Sequence, residues 1–127
     1  MRATVPPAVT FAGLPSGWHA YQGSNGAYAL SWDYKLGPNG WANRMPRNAI
    51  AVTVIFPTDR PHYPPLTRAM PRKPAVLLEG TSDTPEYRIR GRVGGRDVEI
   101  WIDIRRRHPT RAQLRLAQRV VASIVFR

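Results

Sequence analysis

Two carboxyl residues in the segment 98–104 have a spacing that could support chemistry. Glu99 and Asp103 lie four residues apart where apolar and polar residues alternate, so their side chains would point to the same face of a strand. Two carboxyl groups about 5 to 10 Å apart can cleave glycosidic bonds. Because Arg90 is the expected partner of Glu99, the pattern favours a structural ion pair over catalysis. We therefore assign no catalytic residue.

A second group of polar side chains lies in a proline-rich stretch. Asp59, His62 and Tyr63 fall within a five-residue window. A carboxylate, an imidazole and a phenol can bind a small ligand or transfer protons when they line a pocket. A pocket between this stretch and a sheet would make the protein a small-ligand carrier or an enzyme, which is one alternative function.

The sequence lacks the patterns of several common active sites. It contains no cysteine, which excludes a thiol nucleophile, a disulfide scaffold and cysteine zinc sites. His19, His62 and His108 are far apart in sequence and form no metal-binding motif. No serine lies in a Gly-x-Ser-x-Gly turn, and the glycines at 94 and 95 are followed by a strand pattern, unlike a phosphate-binding loop. We predict neither a metal ion nor a cofactor.

Positive charge is the strongest functional signal. The 127 residues carry a formal net charge of +11 at pH 7, and the cations concentrate in residues 44–75 and 105–127. Residues 105–127 contain seven arginines and no acidic residue. Because such a surface attracts anions, the leading hypothesis is a non-enzymatic interaction domain that binds an anionic protein or surface. The candidate binding residues are Arg68, Arg72, Lys73, Arg105, Arg106, Arg107, Arg111, Arg115 and Arg119.

Nucleic-acid binding of low sequence specificity is the main alternative. The basic clusters could contact phosphates, and Tyr63 and Trp41 are candidate stacking residues near them in sequence. The chain has one convincing helix, which excludes a helix-turn-helix reader, and no strand carries the aromatic motif of an RNA-recognition sheet. A solvated basic face is therefore favoured over specific nucleic-acid recognition.

The first strands are predicted between residues 18 and 36. Residues 18–22 and 27–36 read as two strands joined by a turn in which Asn and Gly tolerate positive φ. In the second strand, bulky residues such as Leu30 alternate with small or polar residues such as Ala29. We expect the bulky face to be buried.

A central strand and a long loop follow. Large aliphatic residues alternate through residues 49–56, which predicts a central strand. Residues 57–74 contain six prolines and are expected to form a long, mostly extended surface loop. Residues 75–79 resume an apolar pattern as a short strand.

A β-hairpin is predicted at residues 86–105. The sequence Val93-Gly94-Gly95-Arg96 is typical of a two-residue hairpin loop, and pairing its ends fixes the register of both strands. Two ion pairs and one cation–π contact follow from that register. The facing residues are Arg92 and Asp97, Arg90 and Glu99, Arg88 and Trp101, and finally Glu86 and Asp103, whose repulsion Arg88 or Arg105 is expected to relieve.

The last element is predicted to be a helix. Thr110 followed by Gln113 forms a capping box, and Pro109 prevents an earlier start. At about 100° per residue, an apolar arc faces one side and an arginine row faces the other. Val125 and Phe126 are expected to add a terminal strand or a packing plug.

These elements predict a two-layer α+β domain with an antiparallel sheet of about five or six strands and the C-terminal helix packed on one face. The length fits one domain, placed at residues 18–127 after an extended N-terminal lead-in at residues 1–17. No apolar stretch approaches the roughly 20 residues that span a bilayer.

The order of motifs carries a resemblance to a known group of domains. Leu14-Pro15-Ser16-Gly17-Trp18 precedes the strands, and Val98-Glu-Ile-Trp-Ile-Asp-Ile104 leads to Pro109-Thr110 and the closing helix. This layout resembles uncharacterised exported or membrane-anchored domains of high-GC Gram-positive (actinobacterial) bacteria, and is loosely similar to the PsbP/Mog1-type antiparallel sheet with flanking helices. The resemblance implies a small non-catalytic, extracytoplasmic domain and transfers no functional residue. It also implies an excised or mature domain, although the lack of cysteine leaves a cytoplasmic location open.

Overall fold

The structure, a computed structural model, describes residues 9–23, 25–33, 45–59, 62–78 and 80–127. These residues form antiparallel strands and one C-terminal helix, which confirms the α+β class. Trp41, Glu79 and the predicted strand residues 34–36 lie outside the described residues. The elements are β1 (Val9–Phe11), β2 (His19–Gly23), β3 (Gly26–Leu30), β4 (Ile50–Ile55), β5 (Val76–Leu77), β6 (Pro85–Val93), β7 (Arg96–Ile104), α1 (Arg111–Ala122) and β8 (Ile124–Phe126).

The strands form two sheets. The larger sheet has six strands in the order β2-β3-β4-β7-β6-β5, with neighbouring strands antiparallel. Strand β4 lies near its centre, as predicted for residues 49–56. A second sheet pairs β1 with β8, Val9 opposite Phe126. The sheet content therefore exceeds the prediction, because β1 gave no strand pattern of its own.

The β2–β3 hairpin is shorter than the prediction. Its second strand ends at Leu30, and Ser31 and Trp32 form a bend. The bulky Leu30 is buried as expected, but Ala27 and Ala29 on the small face are buried as well. These alanines belong to the larger core cluster, together with Val9 of β1. Small side chains on β3 thus leave room for the β1–β8 sheet.

The β6–β7 hairpin has the predicted register. Val93 faces Arg96 across the turn, and the pairing continues without interruption to Glu86 opposite Asp103. Gly94 and Gly95 have φ of 54° and 79°, which glycine tolerates best. The prediction succeeded because one two-residue turn determines every pair of a regular hairpin.

The core lies between the larger sheet and α1. Ala117, Val120 and Val121 of the helix are buried in one cluster with side chains from β4 and β7, such as Val52 and Ile102. The helix begins after the predicted capping box, in which Thr110 Oγ1 accepts from the Gln113 backbone N–H. Within the described residues, no helix has the length and apolar character needed to cross a membrane.

The proline-rich loop runs along the outside of this core. In its described part it forms no strand, as predicted, but Leu66 and Met70 pack against the core. The Leu66 backbone N–H donates to the Arg92 carbonyl at 3.1 Å. A Cβ atom at Gly91 would lie 2.3 Å from the Leu66 Cα, so the glycine permits this close crossing.

Candidate functional site

Three arginines of α1 form an exposed row. Arg111, Arg115 and Arg119 are exposed and lie one turn apart, so successive Cα atoms rise by about 6 Å along one side of the helix. Arg106 and Arg107 are also exposed, immediately before the helix. We call these five residues the basic helix face.

Arg68, a candidate binding residue, is held within the fold. Its Nη1 donates to the carbonyl oxygens of Val121 at 3.4 Å, Ala122 at 3.2 Å and Ile124. Its guanidinium carbon also lies 5.5 Å from the centre of the Phe126 ring. The side chain therefore satisfies carbonyl groups at the C-terminal end of α1.

Arg105, another candidate, is half-buried and has partners of its own. Its Nε lies 3.4 Å from Asp83 Oδ2, and its Nη1 donates to the Met45 carbonyl. These contacts join the end of β7 to two loops. Arg105 thus differs from the exposed Arg106, whose Nη1 reaches Asn48 Oδ1 at 3.4 Å.

The other two loop candidates are exposed. Arg72 and Lys73 follow the point where the loop meets α1. There the Met70 N–H donates to Gln118 Oε1 at 2.8 Å, and Gln118 Nε2 donates to the Arg68 carbonyl at 2.7 Å. These hydrogen bonds fix the loop against the helix beside the arginine row.

Glu86 and Asp103 form a buried acid pair. Their exposed fractions are 2% and 1%, and Arg88 Nε lies 2.8 Å from Glu86 Oε1, as predicted for the relief of their repulsion. Burial first, then the hydrogen bond to Glu86 and its charge, raise the pKa of Asp103 to about 10, against the opposing effect of Arg88. Asp103 is therefore a neutral acid at pH 7.

Glu99 is bound by its neighbours on the same face of the sheet. It accepts from Tyr63 Oη at 2.7 Å and from Trp101 Nε1 at 3.1 Å, and Arg90 Nε lies 3.7 Å away as predicted. The hydrogen bond to Glu99, then burial, then the charge of Glu99 raise the pKa of Tyr63. The carboxylate thus fixes the proline-rich loop to the sheet.

Arg88 makes the expected cation–π contact. Its guanidinium carbon lies 5.0 Å from the centre of the Trp101 ring. By contrast, Arg92 and Asp97, which were expected to pair, take different partners. Asp97 accepts from the backbone N–H groups of His62 at 3.0 Å and Tyr63 at 2.8 Å. The loop supplies donors that the hairpin register alone does not reveal.

The predicted polar cluster is divided between two places. His62 lines an open cleft of about 510 Å³ at the end of the sheet, Tyr63 contacts Glu99, and Asp59 is exposed. Of these three residues, only His62 lines the cleft. Its other charged wall residues are Arg92, Arg96 and Asp97.

No protein-family model and no curated protein matches the chain. The sequence predicted a pocket at this loop but not its charged walls, because Arg92 and Asp97 were expected to neutralise each other and Arg96 was considered only as a turn residue. The signal available in the sequence was the pocket predicted at the proline-rich loop, to which His62 was assigned. Among the residues that the structure describes, no three His, Asp or Glu side chains come together as a metal site requires.

Proposed function

We propose that this protein is a non-enzymatic interaction domain whose basic helix face binds an anionic partner. The separation of charge between the two faces of the larger sheet carries the proposal. Arg111, Arg115 and Arg119 are exposed on the helix side, and residues 105–127 contain no acidic residue. An uncompensated row of this kind raises the local concentration of anions.

The acidic residues of β6 and β7 lie on the opposite face. Four acidic residues, Glu86, Asp97, Glu99 and Asp103, alternate along the strands with residues such as Ile100 that share the core cluster with α1. Glu86, Glu99 and Asp103 each contact a side chain on this face. Asp97 accepts from the backbone N–H of Tyr63, whose side chain is bound to Glu99 on the same face, so all four acids are directed away from the helix. Nothing on β6 and β7 therefore offsets the charge of the basic helix face.

The path of the proline-rich loop extends the same surface. The loop contacts the C-terminal end of α1 through Arg68, then Gln118 through Met70, and then reaches Val76, which pairs with Glu86 at the far end of the sheet. It thus follows the helix from its C-terminal end toward its N-terminal end. Arg72 and Lys73 fall along this path, and we include them in the binding surface.

An acidic protein surface fits these features better than a nucleic acid does. Tyr63, the described stacking candidate, is bound to Glu99 on the face opposite the helix. The large hydrophobic residues most exposed near the loop cations are Val76 at 43% and Leu77 at 52%. Aliphatic side chains beside cations suit a protein partner with mixed acidic and apolar residues, whereas single strands use aromatic platforms.

The test measures binding to an acidic polypeptide, poly-glutamate, and to random-sequence duplex and single-stranded DNA, each over a salt series. We expect binding to poly-glutamate that weakens with salt and is lost in the triple variant Arg111→Gln, Arg115→Gln, Arg119→Gln. The single variant Arg115→Gln is also measured, and Arg90→Gln is its matched control. Each of the two removes one positive charge, but Arg90 is 54% exposed on the opposite face of the sheet.

Two outcomes would overturn the proposal. One is equal loss of poly-glutamate binding in Arg90→Gln and Arg115→Gln, since binding would then follow net charge instead of one face. The other is DNA binding that persists at physiological salt and exceeds poly-glutamate binding, which would favour the nucleic-acid alternative.

A further inference from the structure

We propose that the cleft at the end of the larger sheet binds the phosphate group of a small organic molecule. The cleft has a volume of about 510 Å³, within the range of about 300 to 1,000 Å³ typical of small-ligand sites. It is a site separate from the basic helix face. Its walls come from the β2–β3 turn, the end of β4, the proline-rich loop and the β6–β7 turn, namely Asn25, Phe56, Pro57, Thr58, His62, Arg92, Gly95, Arg96 and Asp97.

Arg92 is held in position at the wall of the cleft. Its Nη1 donates to His62 Nδ1 at 2.8 Å, and its Nη2 donates to the Gly95 carbonyl at 2.9 Å. A guanidinium has five N–H donors, so these two contacts fix the group and leave further donors for a ligand. Because the side chain is already ordered, binding an anion costs little additional conformational entropy.

Arg96 provides a second cation at the same cleft. Its guanidinium carbon lies 5.3 Å from the centre of the Phe56 ring. This cation–π contact involves no hydrogen bond, so the N–H donors at the edge of the guanidinium remain for an acceptor. Among the described residues, its guanidinium has no hydrogen-bond acceptor. The edge of Arg96 is therefore the donor set most available to a ligand.

His62 adds a third donor and an unusual backbone. Because an arginine can only donate, His62 Nδ1 accepts from Arg92, which leaves Nε2 as the ring atom that can donate to a ligand. The residue has a φ of 59°, which is uncommon for a residue other than glycine. Backbone strain that is retained in a cleft lined by cations points to a ligand site.

Asp97 holds this arrangement together without cancelling it. Its Oδ2 accepts from the His62 N–H and its Oδ1 from the Tyr63 N–H. Although desolvation opposes them, these hydrogen bonds and the nearby charge of Arg92 lower the pKa of Asp97. The carboxylate thus stays ionised and anchors the loop, and the two guanidinium groups outweigh it by one positive charge.

A phosphate fits these donors better than a carboxylate does. Arg92, Arg96 and His62 approach from separate elements, and a phosphate monoester presents three terminal oxygens with nearly two negative charges. A carboxylate has two oxygens, which one guanidinium can satisfy. Pro57, which is half-buried at the cleft, supplies an apolar contact for the organic part of the molecule.

The experiment follows amide chemical shifts on titration with phenyl phosphate, inorganic phosphate and benzoate. We expect phenyl phosphate to bind more tightly than inorganic phosphate and benzoate, with the largest shifts at His62, Gly95 and Arg96. Arg96→Gln should weaken phenyl phosphate binding roughly tenfold or more, because a charge-assisted hydrogen bond is lost. Arg119→Gln, on the basic helix face, is the matched control and should leave this affinity unchanged.

A second variant separates ligand binding from a structural role. His62→Gly removes the imidazole and relieves the positive φ, so the Tm should stay equal or rise while phenyl phosphate binding weakens several-fold. Benzoate binding as tight as that of phenyl phosphate, or unchanged affinity in Arg96→Gln, would overturn the proposal. Poly-glutamate binding in the same Arg96→Gln protein reports on the basic helix face, so the two proposals can fail separately.

Discussion

Arg68 donates a hydrogen bond to the Ala122 carbonyl at 3.2 Å and so ties the proline-rich loop to the C-terminal end of α1. Arg68→Ala removes this contact together with the cation–π contact to Phe126. We expect a loss of about 1 to 3 kcal/mol in the free energy of unfolding, because helix carbonyls lose their partner. Urea unfolding checks this value. Arg72→Ala, an exposed change in the same loop, should stay within about 0.5 kcal/mol.

The buried Asp103 makes stability depend on pH. Burial, the hydrogen bond to Glu86 and its charge raise the pKa of Asp103 to about 10, whereas an unfolded Asp titrates near 4. Folding therefore takes up a proton between these values, and the contribution of Asp103 to stability falls as the pH rises through this range.

Asp103→Asn tests this dependence. The amide is neutral at every pH, so the stability of the variant relative to the parent should rise by about 1 kcal/mol per pH unit between pH 5 and pH 8. Urea unfolding at both pH values gives the comparison. Asp83→Asn, in the partly exposed pair with Arg105, is the control and should not change the slope in this way. Parallel pH profiles for the parent and Asp103→Asn would contradict the assignment of a neutral Asp103.

The crossing of the loop over β6 predicts intolerance at Gly91. A Cβ atom there would meet the Leu66 Cα at 2.3 Å, and the loop backbone is fixed by the hydrogen bond to Arg92. Gly91→Ala should lower the free energy of unfolding by about 2 kcal/mol or more. Gly13→Ala is the control, because its Cβ would make an ordinary 3.6 Å contact with Ser123. Equal Tm values for the two variants would show that the loop can move away from β6.

The parts of the fold that were predicted from the sequence depend on local rules. One turn at Gly94 and Gly95 determines the register of β6 and β7, down to the contact of Arg88 with Trp101. The capping box at Thr110 determines the start of α1. Both patterns lie within a few residues, so no knowledge of distant chain segments is needed.

The features that escaped prediction depend on the path of the proline-rich loop. Arg68 and Arg105 look like Arg106 in the sequence, but distant carbonyl groups bind the first two. Asp97 pairs with backbone donors of the loop for the same reason. Proline-rich segments have neither the helical nor the strand period, so their route over a sheet is set by tertiary contacts alone.

The β1–β8 pair has a mechanical consequence. Val9 faces Phe126, so the first residue of β1 and the last residue of β8 lie side by side. A force that pulls these residues apart would break the hydrogen bonds between β1 and β8 one after another, instead of loading all of them at once. The domain would then yield first at this small sheet, while the six-stranded sheet keeps its register under load.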